Sequence, residues 1–518
     1  MRALILILGC VAPDEGEEKV PGDRPEPPPP VEDTAVETIE EPARCAPGAA
    51  DVYATEGQLI SVVFACTGEA SASTFSVTNL PAGATYDAET STLLWTPGLA
   101  QAGNWDVDLA VVDVPGDVGR VRISVADAWS DPDNREVDPL TYEEEWGLPV
   151  LHLERPPNTG SEDDVATTMV WRGHTFEIGL KYRGASSLGY PKNSYTLSFP
   201  SDDEFEDGET DFVQRRKIVL TTLFDDNAYI RQKFVFDVWT SLSKSHPPMQ
   251  AIFSVVYING EYEGLYLLGD HVDGEYWEDA GHREDGNLYK AVDHSANFYS
   301  TYSGRPKSSL HSGYTKKEGD IPEGEPGAWD DLDALVDFVV NEPDETFATA
   351  LRERMAVEEF MDWWILVTFT LSEDSGGKNC YLYNDPLAPM WHFAPWDFNH
   401  SWGQAWESSR TSPSTDNDFT GANNLFARML ADDTLGPALM DRLHAAFEGP
   451  LSEAVLQETA AAYYAEIDRS AARDWEKWEA DYDSYYGWRS DLTSYEEERA
   501  YLIDWITARG VWMRRKYP

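Results

Sequence analysis

Three side chains with oxygen donors, Asp374, Asn379 and Asp397, are spaced so that they could hold a metal ion against a phosphate group. Asp374 and Asn379 lie five residues apart, and Asp397 follows 23 residues after Asp374. Hard oxygen ligands of this kind suit Mg²⁺ or Mn²⁺. Such groups need rigid flanks, and the neighbouring sequence supplies them. An apolar run from Phe360 to Leu371 is too short to cross a bilayer and dense enough to predict a buried helix. It breaks at Ser372-Glu373-Asp374-Ser375-Gly376-Gly377, where two glycines disfavour further helix and permit a tight loop. After Lys378-Asn379 the pattern predicts a short aromatic strand (Tyr381 to Tyr383), a turn at Asp385-Pro386 and a second strand (Met390 to Phe393). That strand leads into Pro395-Trp396-Asp397-Phe398.

The five-residue interval matches the Asp and Asn of the protein-kinase catalytic loop, D-x-x-x-x-N, and Asp397-Phe398 stands where the kinase Asp-Phe-Gly element would. Each part alone is common by chance, whereas the ordered set is much rarer. The chain resembles the spore-coat protein H kinases (the CotH family), atypical secreted kinases, over roughly half its length. The resemblance rests on KYRGASSLGYPKNSYTLSF from 181, KIVLTTLFDDNAYIRQKFVFDVW from 217, VVYINGEYEGLYLLGDHVD from 255, NLYKAVD from 287, and the closing blocks KNCYLYND and HFAPWDFNHSWG.

The resemblance implies an α+β fold, a two-lobed atypical protein-kinase-like domain with ATP and Mg²⁺ or Mn²⁺ as cofactors. Asp374 is then the catalytic residue that orients or deprotonates an acceptor hydroxyl, and Asn379 and Asp397 hold the metal. Relatives often carry a further acid where this chain has Asn399, a departure that would weaken a second metal. Phosphate contacts are expected from Arg183, Lys192 and Lys290. Lys192 leads into a strand as the kinase β3 lysine does, with an exposed strand-end lysine as the plain alternative. Lys181 and Lys217 are its rivals, and a surface lysine is the alternative for Lys290. The expected activity is transfer of the ATP γ-phosphate to Ser or Thr of surface proteins. The competing reading is an inert kinase-like scaffold or adhesion protein, because a fold does not fix a function.

Length and composition set the frame. The chain has 518 residues, 42% of them hydrophobic and 12% aromatic, enough for several large cores. Its 93 acidic against 39 basic residues give a formal net charge of −54, which argues against duplex nucleic acid or an anionic membrane surface as a partner. No H-E-x-x-H, Cys-x-x-Cys or G-x-S-x-G pattern points to a zinc enzyme or a serine hydrolase.

At the N-terminus, Met1-Arg2, a short apolar run and Gly9-Cys10 look like a lipoprotein signal, with Cys10 acylated and the protein exported and lipid-anchored at the cell surface. Residues 11–44 are acidic and Pro-rich, an extended tether. Residues 45–127 read as a small all-β domain resembling the immunoglobulin- and cadherin-like repeats of bacterial surface proteins. Cys45 and Cys66 are expected to bridge within it, with two free buried thiols as the alternative. A linker over 128–147 precedes the kinase-like core, 148–405, and a helical part, 406–518. Within the core, Asp225 to Leu242 reads as a helix, whose Arg231 is a candidate partner for an active-site acid. Phe253 to Leu268 reads as a hairpin through Asn259-Gly260, and the polar 300–328 stretch as a mobile lid.

Overall fold

The computed structural model describes residues 52–64, 75–112, 118–128, 137–210, 212–485 and 493–518. Cys10, the 11–44 tether and the Cys45–Cys66 pairing lie outside these residues. The chain combines β and α structure, beginning with an all-β unit of two sheets. One sheet orders its strands Val52–Thr55, Val118–Ala126, Gly103–Val111, Phe75–Thr78, and the other Ile60–Val63, Thr92–Trp95, Thr85–Asp87. Leu93, Trp95, Val107, Ile123 and Val125 fill the space between them. This alternation of inward apolar and outward polar residues is what a sandwich requires.

Seven further strands form the next unit: β1 (Leu148–Leu153), β2 (Val165–Trp171), β3 (His174–Arg183), β4 (Ser194–Ser198), β5 (Lys217–Thr222), β6 (Ala251–Ile258) and β7 (Glu261–Asp270). Their spatial order is β2-β3-β4-β5-β7-β6-β1, and β1 pairs back onto β2, so the sheet closes into a barrel. The two-lobed kinase-like domain that the resemblance implied is not confirmed by this arrangement, which is a barrel. Closure removes the edges that an open sheet would expose. Side chains alternate across the wall: Ile218, Leu220, Tyr266 and Leu268 fill the barrel, while Val219, Leu265 and Leu267 face the helices outside. The Asn259-Gly260 turn has φ of 54° and 77°, both positive as a two-residue hairpin demands.

A helix, α1 (Arg231–Leu242), packs outside the barrel. It begins six residues later than the pattern predicted, because Asp226 organises the preceding segment as a turn. Its carboxylate accepts from the amides of Ala228 (3.1 Å) and Arg231 (2.7 Å) and pairs with the Arg231 guanidinium at 2.7 Å. Opposite the barrel mouth lies a four-stranded sheet of β8 (Asn287–Ala291), β9 (Tyr314–Glu318), β10 (Cys380–Asn384) and β11 (Trp391–Pro395), in the order β9-β8-β10-β11. β9 falls inside the expected lid. Tyr314 and Lys316 point inward, and Lys316 donates to the Ala328 carbonyl at 3.2 Å, so this part of the segment is sheet.

Beneath the sheet runs α2 (Val357–Thr370), buried along nearly its whole length, as its apolar density predicts. Each large side chain fully buried in this way contributes about 1.5–3 kcal/mol. Two long helices, α3 (Glu453–Tyr485) and α4 (Tyr495–Lys516), close the outer side. From α3, Arg473 reaches Glu145 at 2.7 Å and Asp127 at 3.7 Å, tying the end of the sandwich to the barrel.

Candidate functional site

The site is built where α2 ends. Leu371 turns left-handed (φ 55°) and closes the helix, and the next loop is pinned from both sides. Trp363 Nε1 donates to the Ser375 carbonyl and Asn423 Nδ2 to that of Gly376, both at 3.0 Å. Asn379 donates its backbone N–H to Ala291 of β8 at 2.9 Å, which fixes it at the head of β10. Within this loop Asp374 accepts from Asn379 Nδ2 at 2.8 Å and pairs with Lys378 at 2.9 Å, with His294 at 3.5 Å on the same oxygen as Lys378. Asp397 follows the end of β11, and Ser375 Oγ donates to its carbonyl at 3.3 Å, so the two acidic loops are joined. Asn379 (φ 54°) and Asp397 (φ 60°) both hold left-handed backbone. That conformation costs a non-glycine residue on the order of 1–3 kcal/mol and persists where the surroundings dictate it.

These residues form one side of a cleft of about 570 Å³ between the barrel mouth and the β8–β11 sheet. The size falls within the roughly 300–1,000 Å³ of small-molecule sites. Arg183, Lys217, Lys290, Lys317 and Lys378 all line it. Arg183 lies over the Trp396 ring at 4.4 Å, and Lys290 stands 5.4 Å from the same ring and 5.5 Å from that of Tyr381. Burial, with Arg183 nearby, lowers the Lys290 ammonium to about 8, against the pull of Asp397. Crowding by protein pushes the Asp397 carboxyl upward, offset by Lys290 and His400, yet the residue is exposed to the water of the cleft, so that desolvation is partial. The Arg183 loop depends on Gly184, whose φ is +132°. A Cβ there would fall 2.0 Å from Ser187 Oγ.

The structure brings Arg183, Lys290, Asp374, Asn379 and Asp397 to this cleft, and it does not bring Lys192. Lys192 is fully buried elsewhere, paired with Asp474 and donating to the Leu265 carbonyl at 2.7 Å. A lysine so enclosed has no path to a ligand, so the phosphate contact expected of it is withdrawn. Of its rivals, Lys217 lines the cleft, whereas Lys181 pairs with Asp164 at 2.9 Å. Arg231 is likewise sealed against Asp226, whose own residue borders the cleft.

A further cluster went unread. Asp225 accepts from Tyr190 OH (2.9 Å) and Asn399 Nδ2 (2.7 Å) and pairs with His400 at 3.3 Å. Burial disfavours charge on His400, but Asp225, Asp397 and Asp374 outweigh it and raise its pKa. The Asp225-Asp226 pair beside a helix start was the available signal. His271 also lines the cleft and bonds Asp273 at 3.1 Å.

Among the described residues no three His, Cys, Asp or Glu side chains are grouped as a metal cage. What is present is two carboxylates and one amide whose nitrogen already faces Asp374, leaving its oxygen on the other side. That sparse set fits Mg²⁺, which takes one or two carboxylates and completes its shell with waters and substrate phosphates.

The cleft thus gathers five Lys and Arg side chains and five carboxylates, those of Asp225, Asp226, Glu318, Asp374 and Asp397. The CotH kinase protein family matches residues 180–513, and the chain belongs to that family. An Ig domain family matches residues 44–126. Inner spore coat protein H of Bacillus subtilis (strain 168) is 28% identical over 274 residues, covering 52% of this chain and 70% of that protein. An endo-fucoidan hydrolase of glycoside hydrolase family 107 aligns with 32% of this chain and 27% of its own at 15% identity. Its TM-score of 0.14 carries no argument.

Proposed function

We propose that this protein is an ATP-dependent atypical protein kinase, exported and anchored at the cell surface by a lipid on Cys10. In this reading it phosphorylates Ser or Thr of proteins there, and the barrel and the β8–β11 sheet with α2 serve as the two lobes. The observation that carries the reading is the convergence of Asp374, Asn379 and Asp397 with Arg183, Lys217 and Lys290 on one cavity, so that carboxylates suited to a divalent ion stand opposite cations suited to phosphate.

Arg183, Lys217 and Lys290 would hold the triphosphate, and Asp397 and Asn379 the divalent ion, which when bound neutralises developing phosphate charge. Asp374 Oδ1 accepts the acceptor's hydroxyl proton as the acceptor oxygen bonds to the γ-phosphorus. The bond from that phosphorus to the β–γ bridging oxygen breaks, and ADP leaves with its electron pair. Lys378 pairs with Asp374 at 2.9 Å and lines the same cleft. An inert scaffold is favoured by a single observation: Asn399, where an acid would serve a second ion, is instead bound to Asp225.

Incubation with radiolabelled ATP and Mn²⁺ tests the proposal. Label should enter the protein itself or added casein, and Asp374→Ala and Asp397→Ala should abolish it. Absence of label together with absence of metal-dependent ATP binding would leave the scaffold reading.

A further inference from the structure

A second cavity, about 540 Å³, opens beside Asp374, lined by His294, Asn297, Tyr299, Tyr302, Gly421 and Ala422 among others. His294 on its wall approaches the cleft residue Asp374, with Nε2 3.5 Å from Asp374 Oδ1. Its walls are built in advance. Tyr299 OH donates to the Thr420 carbonyl at 2.7 Å, Asn424 N–H to the Asn297 carbonyl at 2.9 Å, and Asn297 Nδ2 to the Thr301 carbonyl at 3.2 Å. A short hairpin, Thr301–Tyr302 paired with Arg305–Pro306, forms the rim and leaves Tyr302 40% exposed.

We propose that this groove binds the acceptor as an extended polypeptide segment and delivers its hydroxyl to Asp374. The inference rests on the phosphotransferase reading and names its acceptor site. Two features favour a polypeptide. None of the residues lining the groove is Lys, Arg, Asp or Glu, in contrast to the cleft, so the groove is not built for a small ion. Gly304, Gly421 and Ala422 let a main chain approach closely, and the tyrosines offer flat apolar faces with hydroxyls at their ends. His294, on the groove wall, lies beside Asp374.

Gly421→Trp tests this with little risk to folding, because Gly421 is exposed and a Cβ there meets nothing within 4 Å. With dephosphorylated casein as acceptor and a soluble dextran in the same reaction, the variant should raise the casein KM about tenfold or more, with kcat nearly unchanged. Tyr302→Ala should shift the KM in the same direction by less. Metal-ATP affinity, measured by calorimetry, should stay within about twofold of wild type in both. Wild-type kinetics toward casein in Gly421→Trp would overturn the groove assignment, as would label entering dextran in place of casein. A wild type that binds metal-ATP but labels no protein would overturn the polypeptide acceptor while leaving the nucleotide site. One that binds no ATP would end both readings.

Discussion

Two lysines near carboxylates divide this molecule into a part that holds and a part that acts. Lys192 and Asp474 are both fully buried, and every partner they need is present. Asp474 accepts from the Leu265 amide at 2.7 Å, Tyr229 OH at 3.0 Å and Tyr482 OH at 3.1 Å, and Lys192 donates to the Leu265 carbonyl. The pair thereby joins the barrel to α3. Lys290 and Asp397 sense each other's charge, but no ion pair closes between them, and both line the open cleft. A satisfied buried pair has nothing left to offer a ligand. An unsatisfied pair at a cleft wall keeps its charge for whatever enters.

Breaking the sealed pair should have the largest effect. Asp474→Ala strands an ammonium in the interior and should cost about 3–5 kcal/mol in denaturant unfolding. A loss below about 1 kcal/mol would erase the contrast. At the open site the order reverses. Asp374→Ala should lower phosphoryl transfer by about 10²–10⁴-fold. Its unfolding free energy should move by no more than about 1 kcal/mol. Lys290 sharpens the comparison through pH. Only its protonated form attracts phosphate, and burial has brought it to about 8, so kcat/KM should fall as pH rises through that value. Lys290→Arg should remove the fall, because a guanidinium stays charged. The smallest effect belongs to Lys181→Ala. Its pair with Asp164 is one-third exposed on each side, so stability should change by under about 0.5 kcal/mol and nucleotide binding not at all.

How much of this was legible depends on how local the cause was. The helix at 357–370 and the hairpin at 380–395 follow from apolar density and from a turn at Asp385-Pro386, all within 40 residues, and the structure has both. Barrel closure depends on β1 meeting β2 on one side and β6, in parallel, on the other, pairings that no periodicity records. Lys192 was misread for the same reason: the carboxylate that consumes its charge lies 282 residues away. Asp225 was passed over because its partners Asn399 and His400 come from the other side of the cleft. In the 300–328 stretch, Tyr314-Thr315-Lys316-Lys317-Glu318 carries charges that resemble a loop, yet it pairs with β8 because its alternate side chains are buried.

A metal–nucleotide complex is proposed to bind between Asp397 and the Lys and Arg side chains of the cleft. Calorimetric titration of ATP into the protein, with and without Mg²⁺, tests it most directly when Asp397→Ala and Lys181→Ala are run beside the wild type. Saturable, metal-dependent heat is expected for wild type and Lys181→Ala, and none for Asp397→Ala at an unchanged unfolding midpoint. Equal binding by Asp397→Ala, or no metal dependence in the wild type, would contradict it.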